Sequence, residues 1–417
     1  MLTRRTQITT VDIGASNTTT VIAEVDGYGY VELLGHAQIP THGFEEGTAS
    51  DIRELGLNIA KSIEAAEDMA DQRANSIAVS IGGEHVRIIQ SRGGVPLQSK
   101  GNSRSGRRIY RNDVRGAIDN AGTVPLPDDL QVMHVLPLNF YVDGGMVNGQ
   151  SPEGLNGTRL DADVMIIAAD QALLSSIRKA VEYQGYRVRK FCYRPLATGR
   201  AVLGREEMDH GACLVDVGAR YTDVAVFKDG RLLFTSTLEL GGDDITIDAS
   251  HNMEISLAEA EKIKIRYGHC SSNLIEDEEF QISGGADGSL WRTVRKSDLG
   301  SNIIQPRAEE ILEEAFTSIC SFAEQDKLPK CGVITGGTSL LQGFNGLASA
   351  IFPFPVSGAE NIGFENMDEE SGKPDHSTAL GMVLLEMDQK FNRREDVMDN
   401  PVSRWYGKMM DKIQTVM

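Results

Sequence analysis

Apolar and polar positions along this chain follow a pattern that occurs twice. Near the start, an apolar β-branched run ends at Val11-Asp12-Ile13-Gly14, passes Ser16, and resumes at Thr20-Val21-Ile22-Ala23. The same order returns at Val215-Asp216-Val217-Gly218, passes Thr222, and resumes at Asp223-Val224-Ala225-Val226-Phe227. Each copy reads as strand, tight turn, strand. Asp26-Gly27 and Asp229-Gly230 follow the two loop aspartates by 14 and 13 residues, and each predicts a hairpin into a third strand. The pattern is that of a duplicated β-meander with a cleft between its halves. A tight turn at the end of a buried strand offers backbone N–H groups to phosphate oxygens, and its Asp can hold a hydrated cation beside them. Two such turns facing each other would clasp a nucleotide triphosphate from both sides.

The remaining periodicities place this pair in a mixed α/β architecture. Ser50 or Asp51 can cap a helix in which Ile52, Leu55, Ile59 and Ile63 recur at helical spacing, ahead of a strand from Ser76 to Ile81. Between residues 86 and 166 the texture changes to a Gly-rich basic stretch, Lys100 to Arg108, and apolar segments at Val132–Leu138 and Val164–Ile167, which reads as an inserted small α/β subdomain. The basic stretch is read as a solvated loop rather than a binding element. After the second meander, the turn Gly241-Gly242-Asp243 leads into a helix-rich region with amphipathic stretches at Leu257–Tyr267 and Ile311–Phe322. A strand, Gly332 to Thr335, then enters Gly336-Gly337-Thr338, and Leu340-Leu341 opens the next element, a place where backbone can approach a flat ligand such as adenine. Asn361 to Asp375 reads as loop and Ser377 to Met387 as helix.

Length and composition narrow the classes. At 417 residues the chain is expected to form two domains. Lys and Arg total 41 against 60 Asp and Glu, and the net charge of −19 argues against nucleic acid as a main partner. Cys192, Cys213, Cys270, Cys320 and Cys331 are scattered without a C-x-x-C pair, which fits reduced thiols in a cytosol better than disulfides or a zinc site. No signal peptide or membrane-spanning run is expected. The last 17 residues behave differently from the acidic body. Val402, Trp405, Tyr406, Met409, Ile413, Val416 and Met417 share one helical face, with Arg404, Lys408 and Lys412 on the other side, and the segment carries +2. A basic amphipathic end on an acidic body reads as an anchor lying on an anionic membrane, and at 1.5 Å per residue it reaches only about 25 Å, too short to cross.

Laid in order, these pieces resemble the phosphate 1, phosphate 2 and adenosine motifs of the actin and sugar-kinase superfold. Within it they resemble the FtsA family of bacterial cell-division proteins. The specific matches are His134-Val135-Leu136-Pro137, Gly154 to Leu160, Ala260-Glu261-Lys262-Ile263-Lys264-Ile265-Arg266-Tyr267-Gly268 and Ile303 to Glu310.

The resemblance implies an actin-like duplicated ribonuclease-H-type fold, α/β in class, with an interdomain nucleotide cleft and an FtsA-type insertion. Residues 1–85 and 167–209 would form the first domain, with 377–390 packing back on it, and 86–166 the insertion. Residues 210–245 and 329–376 would form the core of the second domain and 246–328 its helix-rich subdomain, followed by a linker at 388–400 and the membrane-targeting helix at 401–417. The implied cofactors are ATP and Mg2+. Asp12, Gly14 and Ser16 would lie on the first phosphate loop, Asp216, Gly218, Thr222 and Asp223 on the second, with Gly241 and Gly242 in the same wall. Glu261 and Lys264 would reach the ribose and Gly336 and Gly337 the adenosine, while Asp12 and Asp216 would hold the metal. The implied partners are the C-terminal peptide of the tubulin-like protein FtsZ, further copies of the chain in a filament, other division proteins and an anionic membrane contacted through Trp405, Tyr406, Met409, Ile413, Arg404, Lys408 and Lys412. The implied location is the cytoplasmic face of the inner membrane at the division site. Arg292, Arg295, Lys296 and Arg307, basic residues in an acidic protein, are the candidates for the FtsZ contact. Rival readings are a PilM-like pilus-assembly scaffold and a small-molecule kinase of the same superfold.

Three departures from the family pattern qualify the chemistry. Ala219-Arg220-Tyr221 stands where relatives commonly carry small residues, and Asn17 where many have Lys. Tyr193-Arg194 precedes Pro195-Leu196-Ala197, where related ATPases place an acid or amide that orients the attacking water. Hydrolysis is therefore expected to be weak at most.

Overall fold

The computed structural model describes residues 5–97, 106–147, 151–271, 278–284, 290–322 and 328–399. The chain begins with the meander β1 (Thr6–Ile13), β2 (Asn17–Val25) and β3 (Val31–Pro40), followed by α1 (Ile52–Ala70) and β4 (Ser76–Ile81). Asp51 caps α1 by accepting the amides of Arg53 and Glu54, and Leu55, Ile59 and Ile63 are buried as their spacing predicts. The chain then leaves this domain for β5 (Val86–Pro96), β6 (Arg107–Arg108), α2 (Arg111–Gly122), β7 (Leu130–Val142), β8 (Gly145–Met146), β9 (Asn156–Gly157) and β10 (Arg159–Asp170). It returns as α3 (Gln171–Glu182), β11 (Arg187–Tyr193), α4 (Arg194–Val202) and α5 (Arg205–His210).

The second half repeats the plan with β12 (Ala212–Val217), β13 (Thr222–Lys228), β14 (Arg231–Leu238) and α6 (Gly242–Met253). Next come α7 (Leu257–Tyr267), the hairpin β15 (Glu279–Gly284) and β16 (Leu290–Arg295), α8 (Lys296–Leu299) and α9 (Gln305–Phe322). The half closes with β17 (Cys331–Thr335), α10 (Phe344–Ile351), β18 (Val356–Gly358) and α11 (Ser377–Asp399).

The duplication read from the two Asp-x-Gly loops extends through whole sheets. The first sheet runs β11-β4-β1-β2-β3 and the second β18-β17-β12-β13-β14. In both, the aspartate strand pairs antiparallel with the strand after it and parallel with the strand on its other side. The insertion is an antiparallel sheet in the order β5-β10-β7-β8, with Ala117 and Ala121 of α2 buried against Phe140, Leu160 and Val164. β10 continues past residue 166 to Asp170, so one strand carries the chain out of the insertion into the first domain.

A shared core joins the halves. Ile8, Val21 and Ala23 of the first meander pack in one cluster with Leu214, Ala225 and Phe227 of the second, and Ala201, Leu380 and Leu384 belong to the same cluster. The helices that supply these last residues, α4 and α11, meet closely, since a Cβ on Gly381 would stand 1.8 Å from the Ala197 carbonyl oxygen.

Local departures from the expected layout have simple causes. Asp229 and Gly230, both at positive φ, make the expected two-residue turn between Lys228 and Arg231. Asp26 instead accepts the amides of Tyr28 and Tyr30, and Gly29 supplies the positive φ, so the first hairpin has a longer loop. Leu340 closes a single 3-10 turn, Gly337–Leu340, before α10 begins at Phe344. α11 runs on to Asp399, so the segment expected as a linker, 388–400, is helical up to that residue. Residues 401–417 and most of the Lys100–Arg108 stretch lie outside the described residues.

Candidate functional site

The two loops close in the same way. The Gly14 amide donates to the Asn17 carbonyl at 2.9 Å, and the Gly218 amide to the Tyr221 carbonyl at 2.9 Å. The turns face each other across a cavity of about 320 Å³ between the domains, within the size range of small-molecule sites. Asp12, Gly14, Ser16, Asp216, Gly218, Asp223, Glu261, Lys264, Gly336 and Gly337 all line it, so the structure brings together most of the residues selected from sequence.

The others stand one layer behind. Gly242 donates its amide to the Gly218 carbonyl, and a Cβ on Gly241 would stand 2.3 Å from the Ala219 carbonyl oxygen, so this pair supports the second loop. Thr222 is buried and donates to the Leu240 carbonyl at 2.8 Å. Lys264 lines the cavity with its charge already engaged, 2.6 Å from Glu261 and donating to the Gly242 carbonyl at 2.9 Å and to Thr246 at 2.8 Å. It ties α7 to the start of α6. Gly336 requires its residue type, because φ is +86° and a Cβ would lie 2.5 Å from Asp216 Oδ1. Thr338 Oγ1 donates to the Gly218 carbonyl at 2.8 Å and couples this turn to the second loop.

At the floor of the cavity, Arg194 enters from the first turn of α4. Its Nε donates to Asp12 Oδ1 at 3.4 Å, its Nη2 donates to the Ile13 carbonyl at 3.0 Å, and Nη1 lies 3.9 Å from Asp223 Oδ2. Burial works against the guanidinium charge, but Asp12, Asp223 and Asp216 outweigh it and hold its pKa above the ordinary value. Asp12 also accepts from Ser80. Asp216 accepts from Thr198 at 3.1 Å, and burial together with the charges of Asp223 and Asp12 pushes its pKa up to about 7. Asp223 is likewise raised by burial, against the opposing pull of Arg194 and of its bond from Thr237.

This donor set fits poorly the hydrated magnesium ion that the resemblance implied beside Asp12 and Asp216, because Arg194 already stands among the carboxylates. The guanidinium lies 3.4 Å from Asp12 and 3.9 Å from Asp223 and is a fixed cation among them. Sequence reasoning noticed Arg194 only as a missing water-orienting group. Its position inside an acidic floor is assembled from three separate parts of the chain.

Arg220 and Tyr221, of the first departure, bridge the domains. Tyr221 is buried, with its ring against Gly83 and its hydroxyl donating to Glu84 at 3.5 Å. Arg220 donates to that hydroxyl at 3.4 Å and lies 3.9 Å from Glu46 of the first domain. The tyrosine forms one wall and leaves the cavity open. Gln38, Asp375 and Thr378 also line it and were missed, as were the apolar Ile265, Leu340 and Leu341. No motif marks the polar three, whereas Ile265 sits one residue beyond Lys264 on a helix already singled out.

The comparisons with known proteins follow this geometry. Residues 213–381 match the family described as cell division protein FtsA, and residues 83–168 match the SHS2 domain inserted in FtsA. The chain is 30% identical over 376 residues to the cell division protein FtsA of Bacillus subtilis, covering 89% of this chain and 82% of the relative. It belongs to the FtsA family. The FtsA of Pseudomonas aeruginosa is 28% identical over 375 residues, with 90% of this chain and 88% of that protein covered. The insertion assigned to FtsA-type proteins coincides with β5 to β10. Solved structures of the actin-like fold agree in architecture. A PilM–PilN type IV pilus biogenesis complex gives a TM-score of 0.64 at 19% identity over 92% of this chain and 99% of the other. MreB5 of Spiroplasma citri bound to ADP gives 0.56 at 10% identity over 94% and 99%.

The four basic residues proposed for a partner are dispersed in this FtsA-family chain. Arg307 pairs with Asp248 at 2.6 Å and with Glu310 at 2.6 Å. Arg292 lies 3.4 Å from Glu254, Arg295 3.6 Å from Glu279 and Lys296 4.0 Å from Glu278. Strand alternation puts Arg292 and Arg295 on opposite faces of β16. Among the described residues no helix is long and apolar enough to cross a membrane.

Proposed function

We propose that the cleft binds an adenine nucleotide, ATP or its product ADP, and that the nucleotide acts as an assembly ligand with little hydrolysis. The observation that carries this reading is the pair of identically closed turns, Gly14 to Asn17 and Gly218 to Tyr221, facing one another across the cavity. Their geometry suits phosphate oxygens. Ile265, Leu340 and Leu341 offer an apolar wall for a base, and Glu261 a carboxylate for a ribose hydroxyl. Hydrolysis is slow in this reading because Arg194 stands at the head of α4, where related ATPases place an acid or amide that orients the attacking water, and it carries only donors.

Family membership supports the wider role. In it the chain self-associates into filaments, holds the FtsZ C-terminal peptide on the helix-rich subdomain, recruits other division proteins, and rests on the cytoplasmic face of the membrane through residues 401–417. One tail would bind reversibly, and a row of them along a filament would hold far longer through avidity. The dispersed pairing of Arg292, Arg295, Lys296 and Arg307 means that an acidic peptide must compete with intramolecular carboxylates, which points to modest affinity for a single peptide.

The deciding experiment is sedimentation of the purified chain with anionic liposomes, with and without ATP and an FtsZ C-terminal peptide. Nucleotide-dependent pelleting that carries the peptide along supports the proposal. Pelleting that ignores nucleotide removes the assembly-ligand role, and failure to retain the peptide removes the tethering role.

A further inference from the structure

We infer that Arg194 is the resident counterion of the cleft, and that this chain holds a nucleotide without a divalent cation. The inference rests on the nucleotide reading above and specifies how the acidic floor is reconciled with phosphate. Asp12 comes from the first domain and Asp216 and Asp223 from the second, and all three line the cavity. Carboxylates so placed repel a polyphosphate unless a cation stands between them. In this chain that cation is covalently part of α4.

Several independent features fix it there. Nε and Nη2 are bonded to Asp12 and to the Ile13 carbonyl, which engages two of the five guanidinium N–H groups. Nη1, 3.9 Å from Asp223, makes no hydrogen bond to another described residue and keeps its donors for a ligand. Gly82 makes room for it, since a Cβ there would stand 3.1 Å from Nη1. The backbone at its root is pinned as well. The Tyr193 amide donates to His134 Nε2 at 3.0 Å, and the Tyr193 hydroxyl is 2.9 Å from Thr235 Oγ1 of β14. The side chain is thus held at both ends, and the remaining face of the fork suits phosphate oxygens. A hydrated divalent ion would have to displace a cation that is always charged and already paired, leaving that cation buried without a partner.

The test is equilibrium titration of the full chain with fluorescent ADP and ATP analogues, in magnesium and in EDTA, alongside thermal unfolding with magnesium alone. The expected result is that removing magnesium changes affinity by less than about threefold, well under the 1.4 kcal/mol of a tenfold change. Magnesium alone should leave the unfolding temperature where it was. Arg194→Gln should acquire a magnesium requirement of about tenfold or more, while Arg194→Lys, which keeps a point charge, should not. Binding by the wild-type chain that falls tenfold or more in EDTA overturns the inference and leaves the nucleotide reading intact. Absence of binding in both buffers overturns the nucleotide reading itself. The wild-type arms decide the matter even if the glutamine variant does not fold.

Discussion

The backbone N–H of Tyr193 donates to Nε2 of His134 across 3.0 Å, so a residue of the inserted domain holds the last position of β11, immediately before Arg194. Burial, with a smaller contribution from Lys190, lowers the His134 pKa to about 4. The bond needs Nε2 unprotonated, and the environment keeps it so.

That arrangement sets a pH dependence. The folded-state pKa lies below the ordinary histidine value of about 6.5, so the unfolded chain takes up the proton first. The stabilising contribution is complete above about pH 6.5 and is lost as pH falls toward 4. His134→Gln, whose side-chain oxygen can accept the same amide, should lose less stability between about pH 7 and 5 than the wild-type chain. Urea unfolding at both pH values checks this, and an equal loss in both proteins would show that His134 is not the titrating group.

The contact between α4 and α11 gives a second expectation. Gly381→Ala would place a methyl group 1.8 Å from the Ala197 carbonyl oxygen. Overpacking of this kind costs about 1–3 kcal/mol, so the denaturation midpoint should fall clearly. An unchanged midpoint would mean that the two helices separate without penalty.

Removal of residues 401–417 should abolish co-sedimentation with anionic liposomes and leave nucleotide affinity unchanged. In this proposal Arg404, Lys408 and Lys412 would each contribute on the order of 1 kcal/mol at such a surface, leaving apolar insertion to supply most of the binding. Raised salt should accordingly weaken the full-length chain only modestly. Undiminished sedimentation of the truncated chain would remove the anchor.

Phosphate release from ATP should be very slow, because Arg194 offers no acceptor for a proton of the attacking water. A coupled assay on the purified chain measures it. Rapid turnover would mean that a floor carboxylate, Asp12, Asp216 or Asp223, takes the proton without an orienting group at position 194, and transfer to a small hydroxy acceptor would favour the kinase reading.

Much of the scaffold was legible because it is periodic. Ile52, Leu55, Ile59 and Ile63 announce α1, Asp51 announces its start, and the repeated Asp-x-Gly runs announce two matching sheets. The second hairpin was legible too, since Asp229-Gly230 needs only local backbone chemistry. What failed to show was set by distant contacts. Gly241 and Gly242 belong to the right region but support Gly218 from behind, a distinction of one layer that spacing does not carry. Arg194 looked like an absence of function in one dimension. It becomes the charge centre of the cleft only when Asp12, Asp216 and Asp223 fold around it. Lys264, expected to face the ribose, bonds to Gly242 and Thr246 as well as Glu261, because α6 and α7 pack side by side.

Titration calorimetry of the full chain with ATP and ADP tests most directly whether the two halves grip a nucleotide between their matching turns. The account predicts one saturable binding event per chain, abolished in Gly336→Val, where a side chain would enter the space beside Asp216. No heat with any adenine or guanine nucleotide, or equal heat from a folded Gly336→Val chain, would contradict it.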